Sequence, residues 1–505
     1  MVRCAIAALV LALSVQSSVL RADELPASAL TVLHRFSIAS REIPTGRLAQ
    51  ASDGTLFGEL TQGGANGGGT IFALRGSGTL DTLFSFGAAI APEADPNGTM
   101  PLGGLVFGPD GNLYGTTPFG GPNMLGTVFR ITPTGTLITL APFGGAGQGQ
   151  PPFSRLFLAS DGYFYGTTIT GDNSAGIIFR IDPATGTFDT VYAFSQTNSL
   201  VAGAAAELVQ GPDGAMYGAN PGGVVRLPVG GQPTTLHLFP YQPADTMSGL
   251  TLGADGALYG VSALGGGSGF AYRITTDGVY TQLHAFGCDC GLPEGAYPYN
   301  SLLLASDGNL YGVTVAGGLH YHGVLYRLTP DGTVTTMQSF TDGDGASPAG
   351  PLIEGVDHRL YGVTSGTATI QASIFKFALL PPSPAKVSAT GGVKSATLAW
   401  SPSRGAFTYN VYQGDAAGAE SPAAVLSGIT GTNATVTASG AGTRYYFRVS
   451  ASNEVGEGAP SAEVSAVLSP EPKSGGGGSL DLASLAGLCL IGLSRCLRRR
   501  PSWRK

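Results

Sequence analysis

Charged residues make up only 12% of this 505-residue chain, about half the usual share. The long periodic runs of Ala, Leu, Glu and Lys that build helical bundles are absent, which excludes helical and coiled-coil architectures. Cysteine is sparse. Of the five, Cys4, Cys489 and Cys496 fall in the two terminal segments, leaving Cys288 and Cys290 for the body. A fold held by a disulfide framework is excluded. Positive charge is short too: the net charge is −7, and Arg3, Arg21, Arg495, Arg498, Arg499, Arg500, Arg504 and Lys505 crowd the ends. The body between them is more acidic still and repels nucleic-acid backbones. Neither a Gly-x-Ser-x-Gly nucleophile elbow nor a His-Glu-x-x-His zinc motif occurs, and Gly63-Gly-Ala-Asn-Gly-Gly-Gly69 lacks the Lys-Ser/Thr and the helix of a phosphate loop. Ser383-Pro-Ala-Lys386 fits Ser-x-x-Lys by letters alone, because its proline-rich setting denies it the helix that would align lysine with serine.

What is abundant is the chemistry of strands and turns: 79 glycines, 33 prolines, 23 phenylalanines and 19 tyrosines. One motif recurs as Asp53-Gly-Thr-Leu-Phe-Gly58, Asp110-Gly-Asn-Leu-Tyr-Gly115, Asp161-Gly-Tyr-Phe-Tyr-Gly166, Asp213-Gly-Ala-Met-Tyr-Gly218, Asp255-Gly-Ala-Leu-Tyr-Gly260, Asp307-Gly-Asn-Leu-Tyr-Gly312 and Asp357-His-Arg-Leu-Tyr-Gly362. These mark seven units, each showing four apolar alternations, clearest in the sixth at 301–305, 309–315, 323–329 and 333–340. Asp-Gly predicts two-residue hairpins with positive φ at both central residues. Each unit therefore reads as a four-stranded antiparallel meander, and seven of them pack as an all-β, seven-bladed β-propeller over residues 31–380. Six units end in a strand running to Phe86, Phe143, Phe194, Phe239, Phe286 or Phe340, but none follows Phe377. The missing strand stands at Thr31-Val-Leu-His-Arg-Phe36, so the N-terminus is expected to complete the last blade and close the ring.

Asp110-Gly-Asn-Leu-Tyr-Gly-Thr-Thr117 and Gly126-Thr-Val-Phe-Arg-Ile-Thr-Pro-Thr-Gly135 resemble the GloVer tandem repeat of bacterial surface proteins with varied anchors. The resemblance implies a surface-exposed repeat protein and brings no catalytic residues. After the proline-rich linker 381–384, the segments Leu398-Ala-Trp400, Tyr409-Asn-Val-Tyr412 and Thr443-Arg-Tyr-Tyr-Phe447 resemble a fibronectin type III sandwich over 385–469, with Trp400 in its core and Tyr445 as its tyrosine corner.

The ends read as addresses. Residues 1–22, a charged head followed by a short apolar run, predict a secretory signal peptide, hence export to the cell surface, the outer membrane or the medium. A Gly-rich spacer at 470–479 precedes an apolar segment and basic tail at 480–505. Their order resembles the GlyGly-CTERM sorting signal, which implies a sorting protease of the rhomboid type and passage through the membrane by the C-terminal segment. The related PEP-CTERM signal and an uncut membrane anchor are the alternatives.

Strand alternation puts the Asp-Gly turns on one face and the long second-to-third and unit-to-unit loops on the other, where binding is expected. Phe119, Tyr297, Tyr299 and Tyr321 are candidate platforms for sugar rings there. His320, His322, Cys288 and Cys290 fit a metal set chemically, while Cys288 and Cys290 alone fit a local disulfide or two free thiols. No cofactor is called for. The reading is a non-catalytic binding or adhesion protein for extracellular polysaccharide or protein, with an extracellular propeller-fold hydrolase or lyase acting on polysaccharide as the alternative.

Overall fold

The computed structural model describes residues 29–470 except 77, 88–94, 146–147, 149, 153, 171–175, 195–206, 221, 240–247, 265–266, 288–292 and 441. The expected export and sorting segments, Cys288 and Cys290 lie outside the described residues. Contacts divide the chain into two compact units, one comprising residues up to 383 with 403–407 and 451–459, the other 384–402, 408–450 and 460 onward. No α-helix occurs among the described residues, and so none long and apolar enough to cross a membrane.

In the first unit the recurring motif has a purely local explanation. One carboxylate oxygen of each motif aspartate accepts a hydrogen bond from the backbone N–H two residues on, at 2.9 Å for Asp53 and Thr55 and 3.0 Å for Asp307 and Asn309. In six of the seven the other accepts from the tyrosine hydroxyl four residues on, at 2.9 Å for Tyr114, 2.8 Å for Tyr217 and 2.7 Å for Tyr311, while the first unit has Phe57 in that place. The expected two-residue turn is corrected here. The aspartates keep negative φ and only the following glycine is left-handed, at +87° for Gly54, while Gly54 N–H bonds back to Ala51 and Ala51 N–H to Thr55. The aspartate's own bond to the N–H ahead holds it right-handed and lengthens the turn by one residue. In the seventh unit His358 takes the left-handed place at +60°. The last glycine of the motif is required by close approach: a Cβ on Gly58 would stand 2.4 Å from the Phe72 ring, and one on Gly260 2.4 Å from the Tyr272 hydroxyl.

Each motif sits at the second strand of a meander. The first sheet runs Pro44–Gln50, Leu56–Leu60, Thr70–Leu74, Leu80–Ser85, and the sixth runs Leu303–Leu304, Leu310–Thr314, Val324–Leu328, Val334–Ser339, with four others built alike between them. The last sheet is different. It orders Ile353–Glu354, Leu360–Thr364, Ser373–Phe377 and then Leu30–Arg35, so that the N-terminal strand pairs antiparallel with the C-terminal one, Leu30 opposite Phe377 and Arg35 opposite Ser373.

Neighbouring sheets bury their faces against each other. Phe57 and Ile71 of the first meet Leu113 and Phe129 of the second, and Tyr311 and Leu325 of the sixth meet Leu360 and Phe375 of the last. Tyr361 and Ile374 of that last sheet share a core with Leu56 and Phe72 of the first. The unit is β-propeller-like, and each fully buried Leu, Ile or Phe side chain between its sheets contributes about 1.5–3 kcal/mol. Phe36 tops the closing strand. It is 1% exposed, donates its N–H to Ala372 O at 2.9 Å and packs 5.8 Å from the Phe72 ring.

One acidic side chain enters this core. Glu59 is 1% exposed and takes a single hydrogen bond from Gly104 N–H at 2.8 Å, leaving Oε1 unpartnered. Burial pushes its carboxyl up to about 8, against the lowering effect of that one bond. The corresponding strand position in other sheets is Thr116, Thr167, Ala219, Val261, Val313 or Val363.

The second unit holds two sheets: Ser388–Gly392, Ser395–Ala399 and Asn433–Thr437 in one, and Leu426–Ile429, Thr408–Gly414, Arg444–Asn453 and Val464–Val467 in the other. Trp400 lies buried with its ring 5.4 Å from that of Tyr409, and the Tyr445 hydroxyl donates to Ser439 O.

Two outcomes are expected. Phe36→Ala removes a fully buried ring from the closing strand and should cost about 3–5 kcal/mol in urea denaturation; an unchanged midpoint would show that the N-terminal strand closes nothing. Since folding raises the Glu59 pKa, its contribution is complete below 4.5 and is lost as the pH climbs to about 8. The slope approaches about 1.4 kcal/mol per pH unit in that window. Glu59→Gln should flatten the fall in melting temperature between pH 5 and 8, and a parallel curve would refute the assignment.

Candidate functional site

The long loops of the first unit repeat their backbone while changing their side chains. Where the chain enters a sheet, Met100, Tyr297 and Ser347 each adopt left-handed φ, at +58°, +62° and +55°, just before a proline. In the second-to-third loop Met124 and Tyr321 do the same, both at +62°. Non-glycine residues rarely occupy this region, and holding them there requires a surrounding that dictates it. Here the surrounding is backbone pairing between loops: Met100 N–H bonds to Gly68 O at 2.8 Å and Tyr297 N–H to Ser268 O at 2.9 Å.

Of the aromatics expected on this face, Phe119 is 41% exposed, Tyr299 41% and Tyr321 59%, while Tyr297 is half-buried. Phe119 O pairs with Thr99 N–H at 2.8 Å, and Val315 N–H bonds to Tyr297 O at 3.2 Å. Met124 and Leu319, which sequence reasoning passed over, are equally prominent at 50% and 61% exposed. Their signal was available in the alignment of Met124 with Tyr321 across units.

The histidines divide. His322 Nε2 lies 2.6 Å from Asp342 Oδ1, and His320 is exposed. Glu294 pairs instead with His284 at 3.3 Å. Among the described residues no group of three His, Cys, Asp or Glu side chains lies close enough to hold a metal ion; Cys288 and Cys290 are outside those residues. Asp344, beside the aspartate that meets His322, turns inward to accept from Thr341 Oγ1 at 2.8 Å.

Four recurrent arginines of the third strands, Arg130, Arg180, Arg226 and Arg273, pair with aspartates of the scaffold. Arg226 reaches Asp213 and Arg273 reaches Asp255, each at 2.7 Å. His34, His237 and His284 repeat one edge-on contact with the phenylalanine two residues later, with centroids 4.9–5.1 Å apart.

Two features were not read from the sequence. A cleft of about 450 Å³ opens on the long-loop face between the first and last sheets, lined by Ile38, Arg41, Gln62, Ser365, Thr367 and Ile370. That volume lies in the range of small-ligand sites. The other is polar and central. A buried leucine stands within the first strand of the first sheet and directly ahead of the first strand in the others, and the place before that leucine is held in turn by Arg47, Gly104, Arg155, Glu207, Gly249, Ser301 and Pro351. These strand starts crowd together. A Cβ on Gly104 would stand 2.6 Å from Arg47 N, and one on Gly249 2.8 Å from Glu207 Cβ. Ser301 Oγ donates to Glu207 Oε2 at 3.1 Å, reaching from the sixth sheet to the fourth past the fifth. Such a span is possible only near the axis. The unit-to-unit loops feed these strands, so the cluster lies at the long-loop end. Burial lowers the Arg155 guanidinium to about 10, with the like charge of Arg47 adding to the effect and Glu207 opposing it.

No curated protein matches the chain. Among solved structures it is similar to an inactive virginiamycin B lyase from Staphylococcus aureus with quinupristin, at 16% identity over 69% of this chain and 99% of the other, TM-score 0.49. It is also similar to the extracellular domain of a hybrid two component system from B. thetaiotaomicron, at 12% identity over 88% and 58%, TM-score 0.47. An Fn3-like protein from Clostridium thermocellum matches at 33% identity over 19% and 99%, TM-score 0.17. A fibronectin type III domain is matched at residues 380–467, and the Gloeobacter/Verrucomicrobia repeat at 22–226 and again at 219–413. The chain belongs to the Gloeobacter/Verrucomicrobia repeat family.

Proposed function

We propose that this chain is exported and acts, surface-anchored or released, as a non-catalytic binding protein whose long-loop face takes an extracellular polysaccharide or protein. In this reading residues 31–380 form a closed seven-bladed propeller, joined by the linker 381–384 to the fibronectin-like domain at 385–469. The Gly-rich stretch 470–479 holds the body away from the membrane segment at 480–505, the substrate of a rhomboid-type sorting protease. Repeat family and fibronectin type III domain both suit an extracellular binder.

The observation that carries the proposal is the exposure of Phe119, Met124, Tyr299, Leu319 and Tyr321 on loops whose backbone is pinned in a repeated left-handed form. Rigid display of large apolar side chains on one face lowers the entropy cost of binding. By contrast, the repeat motif itself is consumed by local hydrogen bonds and packing, which leaves the loops as the variable surface.

The whole chain should bind at least one member of a panel of cell-surface and environmental polysaccharides saturably, with no new reducing ends or unsaturated products in the same wells. Tyr321→Ala and Phe119→Ala should each weaken that binding about tenfold, or about 1.4 kcal/mol. Release of products would replace this reading with the hydrolase or lyase, and unchanged affinity in both variants would remove the long-loop face from the account.

A further inference from the structure

The two arginines at the axis differ from Arg226 and Arg273, whose guanidinium groups pair with Asp213 and Asp255. No side-chain hydrogen bond or ion pair joins either Arg47 or Arg155 to a described residue, and the Nε of each is buried without a partner, as is that of Arg327 in the sixth sheet. Both side chains nevertheless keep part of their surface accessible. Buried donors are almost always satisfied, so two orphaned guanidinium groups in one place call for an acceptor from outside. Between them in the ring stands Gly104, whose backbone approach to Arg47 leaves no room for a side chain and whose N–H is taken by Glu59. Burial raises the Glu59 carboxyl to about 8, which favours its uncharged form beside Gly104. On the far side of Arg155, Glu207 is engaged by Ser301, and the neighbouring Asn300 keeps a buried amide Nδ2 without a partner.

We propose that the axial cluster of Arg47, Arg155, Glu207 and Asn300 is a binding site for the carboxylate of an acidic saccharide. Two guanidinium forks match the planar, two-oxygen geometry of a carboxylate. Their two positive charges against the one negative charge of Glu207 leave a single net positive charge, which balances a monoanion and leaves the second charge of a phosphate dianion uncompensated. The amide of Asn300 and the hydroxyl of Ser301 supply the donor and acceptor that sugar hydroxyls beside the carboxylate require. The saccharide part of this assignment rests on the binding function proposed above; the carboxylate part rests on the arginines alone.

The test uses calorimetric titration of the whole chain with three probes: D-glucuronate, its neutral amide D-glucuronamide, and inorganic phosphate. Glucuronate should bind at least tenfold more tightly than either of the others. Arg47→Gln and Arg155→Gln should each weaken it at least tenfold. Equal binding of glucuronate and glucuronamide, tighter binding of phosphate, no binding of glucuronate, or full affinity in both arginine variants would each overturn the proposal. The comparison of probes on the unaltered protein decides the matter even where a variant does not fold. Glucuronate binding together with a failed polysaccharide panel would sink the long-loop function while leaving the axial site standing.

Discussion

The pairing of Leu30–Arg35 with Ser373–Phe377 is the contact on which the rest of the first unit depends. A four-stranded sheet hides neither of its faces by itself, so each must be covered by its neighbours. Without the N-terminal strand the last sheet would end at an unpaired edge, and the first and last sheets would lose Phe36 from the core they share. The long-loop cleft depends on the same contact, because its walls come from the segment that leaves the closing strand and from the second-to-third loop of the last sheet. One antiparallel ladder thus decides both whether the sheets stay covered and whether two distant loops meet.

Crowding at the axis sets the second constraint. Strand starts packed this tightly tolerate glycine at several places, and the approach of Gly104 to Arg47 and of Gly350 to Gly46 O shows why. A long side chain there can only run along the axis toward the open end. Arg47, Arg155 and Glu207 are therefore departures from what packing alone would choose, as is Glu59 beside an apolar core. An otherwise acidic body places two arginines and one glutamate where they are partly enclosed by protein and water screens them less than at the open surface.

Much of the scaffold was legible in the letters. Asp-Gly-x-x-Tyr-Gly marks the hairpins because its aspartate, tyrosine and glycine each answer a local demand, and local demands repeat with the sequence. The stray strand ending at Phe36 was legible because a repeat exposes its own missing member. Trp400 and Tyr445 stood out in the second unit for the same reason of fixed spacing. What was not legible depends on residues far apart in sequence. The turn geometry after Asp53 escaped because a side-chain bond, invisible in the dipeptide, selects it. Arg47, Arg155 and Glu207 looked like ordinary scattered charges until strands about fifty residues apart were brought to one axis. The cleft beside Ile38 and Ile370 joins loops from opposite ends of the repeat region, and no pattern within either loop announces the other. The four aromatics were named on sequence grounds, but their exposure differs among them, and the shared left-handed backbone of Tyr321 and Met124 belongs to the structure.

The closing ladder also has a consequence for biogenesis. Leu30 leaves the ribosome long before Phe377, and at about 5–20 residues per second the interval is roughly 20–70 s. Throughout that time the first strand has no partner and the growing sheets carry an open hydrogen-bonding edge able to recruit other chains. Contacts of such wide sequence separation also form slowly once both partners exist. A chain with this topology needs its first strand kept apart from other strands until Ser373–Phe377 arrives, so the first unit is complete only when the two ends of the repeat region meet.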